Sequence, residues 1–361
     1  MDKKKIALVL AGGGVTGIVF EIGVMRAINE AWLNRTANDF DLYVGTSAGS
    51  YVAAYLASGV SAQRMHRFID KETSLFGSGG PVATYFPNVS ELVEKTLFWP
   101  ITALQASGRF LRAREPLVGL SRAAETLLPS GLLDTWLMQQ RLYRSYRKHG
   151  VGNNFADLKR DLHVIATELD SGDRVVFNRQ NPVPLEKAVA ASCAIPLLYR
   201  PVRINGRDYV DGGLRGTASI DLAVEQGAEL IVVVNSLVPH RDESTPDDAE
   251  THSQSPRHHI ADRGPLAITN QITRASIHAG LIYHIKQIKR AHPHVNVMLI
   301  EPPHHDQLLS GRNFMTYHNL REIEDHGFMV GIDFWRRNEA QARDVLKKRE
   351  IDLATRLPLV A

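Results

Sequence analysis

Two strand–turn–helix junctions near the N-terminus constrain this chain more than any other feature. In the first, the apolar run Ile6-Ala7-Leu8-Val9-Leu10 leads into Gly12-Gly13-Gly14-Val15-Thr16-Gly17, and a helical pattern follows over 18–33. In the second, Asp41-Leu42-Tyr43-Val44 leads into Gly45-Thr46-Ser47-Ala48-Gly49, and a helix is expected over 48–57, closed by Gly59. Strand and helix alternate, so residues 6–58 read as the opening of a parallel α/β sheet. At each junction, backbone N–H groups that begin a helix have no partner within it and point at whatever lies above the turn. The second turn centres a serine in G-x-S-x-G, where small neighbours let the chain bend sharply and expose the hydroxyl. A nucleophile beside an anion site is the minimum equipment for acyl transfer.

The first glycine string also matches the dinucleotide fingerprint, G-x-G-x-x-G after a strand. That fingerprint needs a carboxylate at the end of the second strand to hold a ribose, and here that strand ends in Gly45-Thr46-Ser47. Two readings of the glycines remain: an oxyanion hole built from the Gly13 and Gly14 amides, or a turn that merely packs closely. The serine needs a base. With 15 histidines in the chain a histidine partner can always be found, so that match carries no information. Ser47 also comes early for an α/β-hydrolase elbow, since it follows what reads as the second strand. Asp211, in Asp211-Gly212-Gly213 after a strand ending Tyr209-Val210, is the better partner: two glycines let its loop approach another loop. Taken alone it is equally an ordinary turn aspartate. Within reach of Ser47 it could act as general base, helped by partial desolvation that raises its pKa from near 3.9.

Further along, residues 60–160 change to a largely helical character, broken by Gly77-Ser78-Gly79-Gly80-Pro81. Strands are expected at 162–167 and 174–178, a short helix from Pro184 to about 190, and a hairpin of 200–204 with 207–210 about Asn205-Gly206. The continuous apolar run Leu230-Ile231-Val232-Val233-Val234 reads as a central parallel strand. The polar, aperiodic stretch 239–264 reads as a loop, followed by a long helix over 266–291, a strand over 295–300 and helical sequence over 316–349. No internal repeat is evident.

Lys and Arg total 42 against 39 Asp and Glu, a net charge of +3, which gives no argument for nucleic acid as a partner. A single cysteine, Cys193, excludes an intramolecular disulfide and fits a reducing compartment. No stretch approaches the roughly 20 apolar residues that span a bilayer. The expectation is a cytoplasmic protein that touches membranes from one side, with no assigned oligomeric state. His258-His259, His292-Pro293-His294 and His304-His305-Asp306 lack convergent ligand spacing, so no metal and no cofactor is expected. Cys193 reads as a small buried residue, and Arg336-Arg337 and Lys347-Lys348-Arg349 as a solvated helix face. The run Phe98-Trp99-Pro100-Ile101 with Arg109, Arg112 and Arg114 suits an anionic lipid interface, though a helical cap whose apolar face packs on the main body is the simpler reading.

Together, the glycine loop at 12–17, the elbow at 45–49 and the D-G-G turn at 211–213 resemble the signature of the patatin-like phospholipase family. The segment Ala191-Ser192-Cys193-Ala194-Ile195-Pro196 resembles that family's A-S-x-A-x-P block. The likeness covers roughly 5–60 and 160–235. One departure is Thr16, where the family often carries Arg or Lys, which leaves the backbone donors unaffected. The resemblance implies one three-layer α/β/α domain over 1–361 with a mostly parallel sheet, a helical insertion at about 60–160 and a helical C-terminal region at about 316–361. It implies a serine lipid-acyl hydrolase with a Ser47–Asp211 dyad and an oxyanion hole from Gly12, Gly13 and Gly14. Gly17, Gly45, Gly49, Gly212 and Gly213 would support these turns, and a lipid or acyl ester would be the substrate. Transfer to an alcohol acceptor on the same dyad, and a non-catalytic lipid-binding protein of the same fold, are the alternatives.

Overall fold

The computed structural model describes residues 5–70, 128–216, 218–241, 260–310, 315 and 318–358, with isolated positions at 87, 88, 91, 93, 104, 105, 107, 108 and 118. The elements are β1 (Lys5–Leu10), α1 (Gly14–Ala31), β2 (Leu42–Thr46), α2 (Ala48–Ala57), α3 (Ala62–Asp70), β3 (Gly131–Leu133), α4 (Thr135–His149), β4 (Asp161–Glu168), β5 (Arg174–Phe177), α5 (Leu185–Ser192), β6 (Leu197–Tyr199), β7 (Val202–Ile204), β8 (Arg207–Asp211), α6 (Ile220–Glu225), β9 (Ala228–Val234), α7 (Pro265–Ala291), β10 (Asn296–Ile300), α8 (Gln307–Ser310), α9 (Leu320–Arg337) and α10 (Glu339–Lys347).

The main sheet runs β10-β9-β1-β2-β4-β8-β7, with β5 on the other edge of β4. From β10 to β4 every pairing is parallel, while β5 and β8 are antiparallel to β4. Alternate side chains of the central strands face two different cores. Ile6, Leu8 and Leu10 of β1, with Leu230, Val232 and Val234 of β9, pack under α1, α2 and α5. Ala7 and Val9, with Ile231 and Val233, pack against Ile220 of α6 and Leu281, Ile285 and Ile288 of α7. The result is three layers, α/β/α, and burial on both faces explains why these strands are apolar without alternation.

Helix α9 lies against α1. A Cβ on Gly327 would come within 2.2 Å of the Phe20 carbonyl oxygen, so the two backbones meet where no larger residue fits. Glu324 of α9 is fully buried and takes Arg26 at 3.0 Å and His66 at 2.7 Å, which closes the polar side of the contact.

Three departures from the expected pattern have local causes. Helix α1 begins at Gly14, because the glycine loop supplies its first turn. The expected 316–349 helix is two helices, divided at Asn338, whose side-chain amide donates to the Phe334 carbonyl at 2.8 Å and competes with the ladder. The pair β3–β6, with Gly131 opposite Leu197 and Leu133 opposite Tyr199, was not expected, since three-residue strands show no period. Among the described residues, no helix is long and apolar enough to cross a membrane.

Candidate active site

Sheet register brings the two expected catalytic turns together. Along one edge of β4, the parallel strand β2 ends with Thr46 opposite Ile165, and the antiparallel strand β8 ends with Asp211 opposite Ala166. The strands approach each other along that edge and stop at adjacent positions, so the residue after β2, Ser47, meets the last residue of β8. Both side chains are nearly enclosed, at 5% exposure each.

Ser47 adopts φ 53° and ψ −124° and caps α2. A non-glycine residue in this region is strained, and the surroundings hold it there. Its N–H donates to the Ser192 hydroxyl at 2.8 Å, and that hydroxyl donates to the Ile165 carbonyl at 2.6 Å. Its carbonyl accepts from the Ser50 hydroxyl at 2.7 Å and the Cys193 thiol at 3.2 Å. The Ser192-Cys193 pair is thus the clamp that fixes the elbow. Gly49 must be glycine, since a Cβ there would fall 2.2 Å from the Leu10 carbonyl oxygen. Gly45 is similarly pressed, against the Ser50 backbone.

Asp211 accepts from the Gly213 amide at 2.8 Å, so the second glycine of the D-G-G turn orients the carboxylate. Gly212 lies against the Ile165 carbonyl with no room for a side chain. Burial raises the Asp211 pKa to about 6, with hydrogen bonds from the Ser47 hydroxyl and the Gly213 amide opposing the rise. No described histidine hydrogen-bonds to Ser47 or Asp211, and among the described residues no group of three His, Cys, Asp or Glu side chains is placed to hold a metal ion.

The glycine loop runs beside the serine. A Cβ on Gly12 would lie 3.3 Å from Ser47 Cβ, and Gly14, at φ 59°, joins Ser47 in lining one cleft. The loop sits ahead of the first bond of α1, from the Gly17 amide to the Gly13 carbonyl at 2.9 Å, so the preceding amides are not used within the helix. Ser236, just beyond β9, donates to the Gly12 carbonyl at 3.4 Å and occupies the space a Gly13 side chain would need.

Above these residues lies a cleft of about 680 Å³, counting its open mouth. Val15, Ile18, Leu142, Val189 and Ile195 give it apolar walls, and Arg141 is its charged side chain. Cys193 also lines it, but burial followed by the charge of Asp211 pushes its thiol far up, so it is neutral and a poor nucleophile. Phe98, Trp99, Arg109, Arg112 and Arg114 lie outside the described residues, as does most of the 239–264 stretch.

The patatin-like phospholipase family model matches residues 8–224. The uncharacterized protein YqhO of Bacillus subtilis is 25% identical over 219 residues, 57% of this chain and 62% of that one. The uncharacterized protein YjjU of Escherichia coli is 27% identical over 237 residues, 64% of this chain and 52% of that one. The match therefore spans less than two thirds of either relative. Among solved structures, VipD from Legionella pneumophila aligns over 93% of this chain and 67% of its own at 12% identity, with a TM-score of 0.40. The type III effector ExoU aligns over 93% and 54% at 15% identity, with a TM-score of 0.37.

Proposed function

The chain belongs to the patatin-like phospholipase family, and from that premise and the site geometry we propose that it is a serine hydrolase of lipid acyl esters working through a Ser47–Asp211 dyad. The observation that carries this reading is the meeting of β2 and β8 on one edge of β4, which sets a strained serine beside a buried carboxylate under an apolar cleft.

The steps follow from the placement of the groups. The acyl chain lies along the apolar walls, with its ester carbonyl over Ser47. Ser47 Oγ attacks the carbonyl carbon while Asp211 takes its proton. A carboxylate with a pKa of about 6 is a better base near neutral pH than one at its ordinary value. The amides of Gly12, Gly13 and Gly14, at the positive end of α1, receive the developing oxyanion. Asp211 returns the proton to the leaving alcohol as the carbon–oxygen bond breaks. A water then attacks the acyl-serine carbonyl while Asp211 takes its proton, the bond from carbon to Ser47 Oγ breaks to release the fatty acid, and Asp211 returns the proton to Ser47 Oγ. Thr16 leaves the glycine loop without a cation, so backbone donors carry the oxyanion.

Ser47→Ala and Asp211→Asn should each remove hydrolysis of acyl esters while the protein stays folded, as judged by circular dichroism. Activity that survives in either variant would contradict the dyad. A glycerol or lysolipid acceptor that captures the acyl group in preference to water would turn the reading toward transferase chemistry.

A further inference from the structure

The stretch from Leu128 through β3 into the first turn of α4, with the strand β6 paired to β3, displays large apolar side chains beside the cleft. Leu128, Leu132 and Trp136 are 63%, 64% and 61% exposed, and Leu197 is 85% exposed. The β3–β6 pairing places Gly131 directly opposite Leu197, which ties these positions to one small ribbon. Leu197 also holds φ 68°, a conformation that a leucine takes at a cost. In a soluble environment neither the strain nor the exposure has a return, because a leucine in open water gains nothing from burial. Such groups of exposed apolar residues mark interaction surfaces.

The ribbon adjoins the cleft. Ile195 and Tyr199, on either side of Leu197, line it, and so does Met138, two residues beyond Trp136. The brace beneath is firm: the Asn88 side chain donates to the Gly131 carbonyl at 3.1 Å, and the Arg200 amide donates to the Leu133 carbonyl at 2.9 Å. The surrounding charge is basic. Helix α4 carries exposed Arg144, Arg147 and Lys148, and Arg200 follows β6, also exposed; of the nearby acids, Asp134 caps α4 and Glu91 accepts from the Ser130 amide and hydroxyl. Apolar side chains within a basic surround complement an anionic bilayer, where the former enter the acyl boundary and the latter meet phosphate. Tryptophan suits such a boundary because its ring is apolar and its N–H can remain hydrated.

We propose that Leu128, Leu132, Trp136 and Leu197 form a docking surface for an anionic lipid bilayer, seated so that the cleft opens onto the membrane. This rests on the lipid hydrolase reading for its purpose but not for its test. Binding of Leu132→Ser/Trp136→Ser/Leu197→Gly to vesicles of phosphatidylglycerol and phosphatidylcholine in equal parts should fall on the order of 100-fold relative to the unmodified chain, given three partly inserted side chains. Hydrolysis of a soluble short-chain ester should stay within about twofold, since none of the three lines the cleft or touches the reacting groups. Ser47→Ala should bind these vesicles as the unmodified chain does, so loss of catalysis and loss of docking are separately visible.

A second measurement does not depend on the triple variant folding. In a Trp99→Phe background, which removes the tryptophan outside the described residues, brominated acyl chains should quench the remaining fluorescence, and adding Trp136→Phe should abolish that quenching while binding persists. Trp32 and Trp335 are buried in the core and do not contribute. Undiminished vesicle binding by the triple variant, equal binding to pure phosphatidylcholine, or quenching that persists when Trp99 and Trp136 are both replaced by Phe would each overturn the proposal. So would a concentration-dependent dimer that the triple variant abolishes, which would assign the surface to a second copy of the chain.

Discussion

Asp211 should weaken the fold at the pH where it works, and the size of that effect follows from its surroundings. Its pKa rises from 3.8 to about 6 because burial penalises the charged form more than its donors reward it. At 1.36 kcal/mol per pKa unit, a shift of about 2 units is worth about 3 kcal/mol. The sign is that of a raised acid. Below about pH 4 the carboxyl is neutral in both states and nothing is lost. Between about pH 4 and 6 the unfolded chain releases a proton that the folded protein keeps, so stability falls as pH rises. Above about pH 6 the whole loss is present. Asp211→Asn keeps an oxygen to accept from the Gly213 amide and cannot ionise, so it escapes this fall. Urea unfolding of both proteins across this range should show the variant gaining about 3 kcal/mol relative to the parent between pH 4 and 7, with no activity. A difference between the two that does not change with pH would refute the placement of a charged carboxylate in a dry site.

Catalysis should show the same group from the other side: kcat/KM should rise with pH through an apparent pKa near 6 and then hold level. An inflection near neutrality that a single His→Ala change removes would indicate a histidine base instead. Ser192→Ala takes away the hydroxyl that bridges the Ser47 amide and the Ile165 carbonyl and leaves both groups buried. It should cost about 1–3 kcal/mol in chemical denaturation and lower kcat more than it changes KM; an unaltered kcat would show that the elbow holds its strain without this clamp. Glu21 of α1 is fully buried, neither carboxyl oxygen has a partner among the described residues, and burial raises its pKa well above the usual range. Glu21→Met should therefore stabilise the protein by about 1–3 kcal/mol in the same assay, and a loss of stability would show that the carboxyl satisfies a partner after all.

The parts of this molecule legible in its sequence are those where chemistry and period coincide. The glycines of both early turns announce themselves because few other residues can occupy such backbone positions, Ser47 and Asp211 stand out only through the glycines that flank them, and the run 230–234 announces a strand buried on both faces. What joins them is not local. That Ser47 and Asp211 meet depends on where β2 and β8 stop along β4, and register of that kind leaves no mark on either segment. Ser192 and Ser236 were invisible as supports for the same reason: their partners lie 145 and 224 positions away, and a buried serine looks in sequence like any other. The exposed ribbon was hidden by the shortness of β3 and β6, and by Leu197, whose backbone conformation no residue-type preference would suggest. The run at 98–101, whose aromatics suit a lipid interface, lies outside the described residues, whereas Leu132, Trp136 and Leu197 stand in no motif or period of the sequence.

Covalent labelling tests the dyad most directly. A fluorophosphonate probe mimics the tetrahedral intermediate and reacts with a serine only where a base and oxyanion donors already stand around it. Peptide mapping of the labelled protein by mass spectrometry should find one adduct, on Ser47. It should be absent in Ser47→Ala and slowed by orders of magnitude in Asp211→Asn. An adduct on any other residue, or labelling of Ser47 at an undiminished rate without the Asp211 carboxylate, would contradict the account.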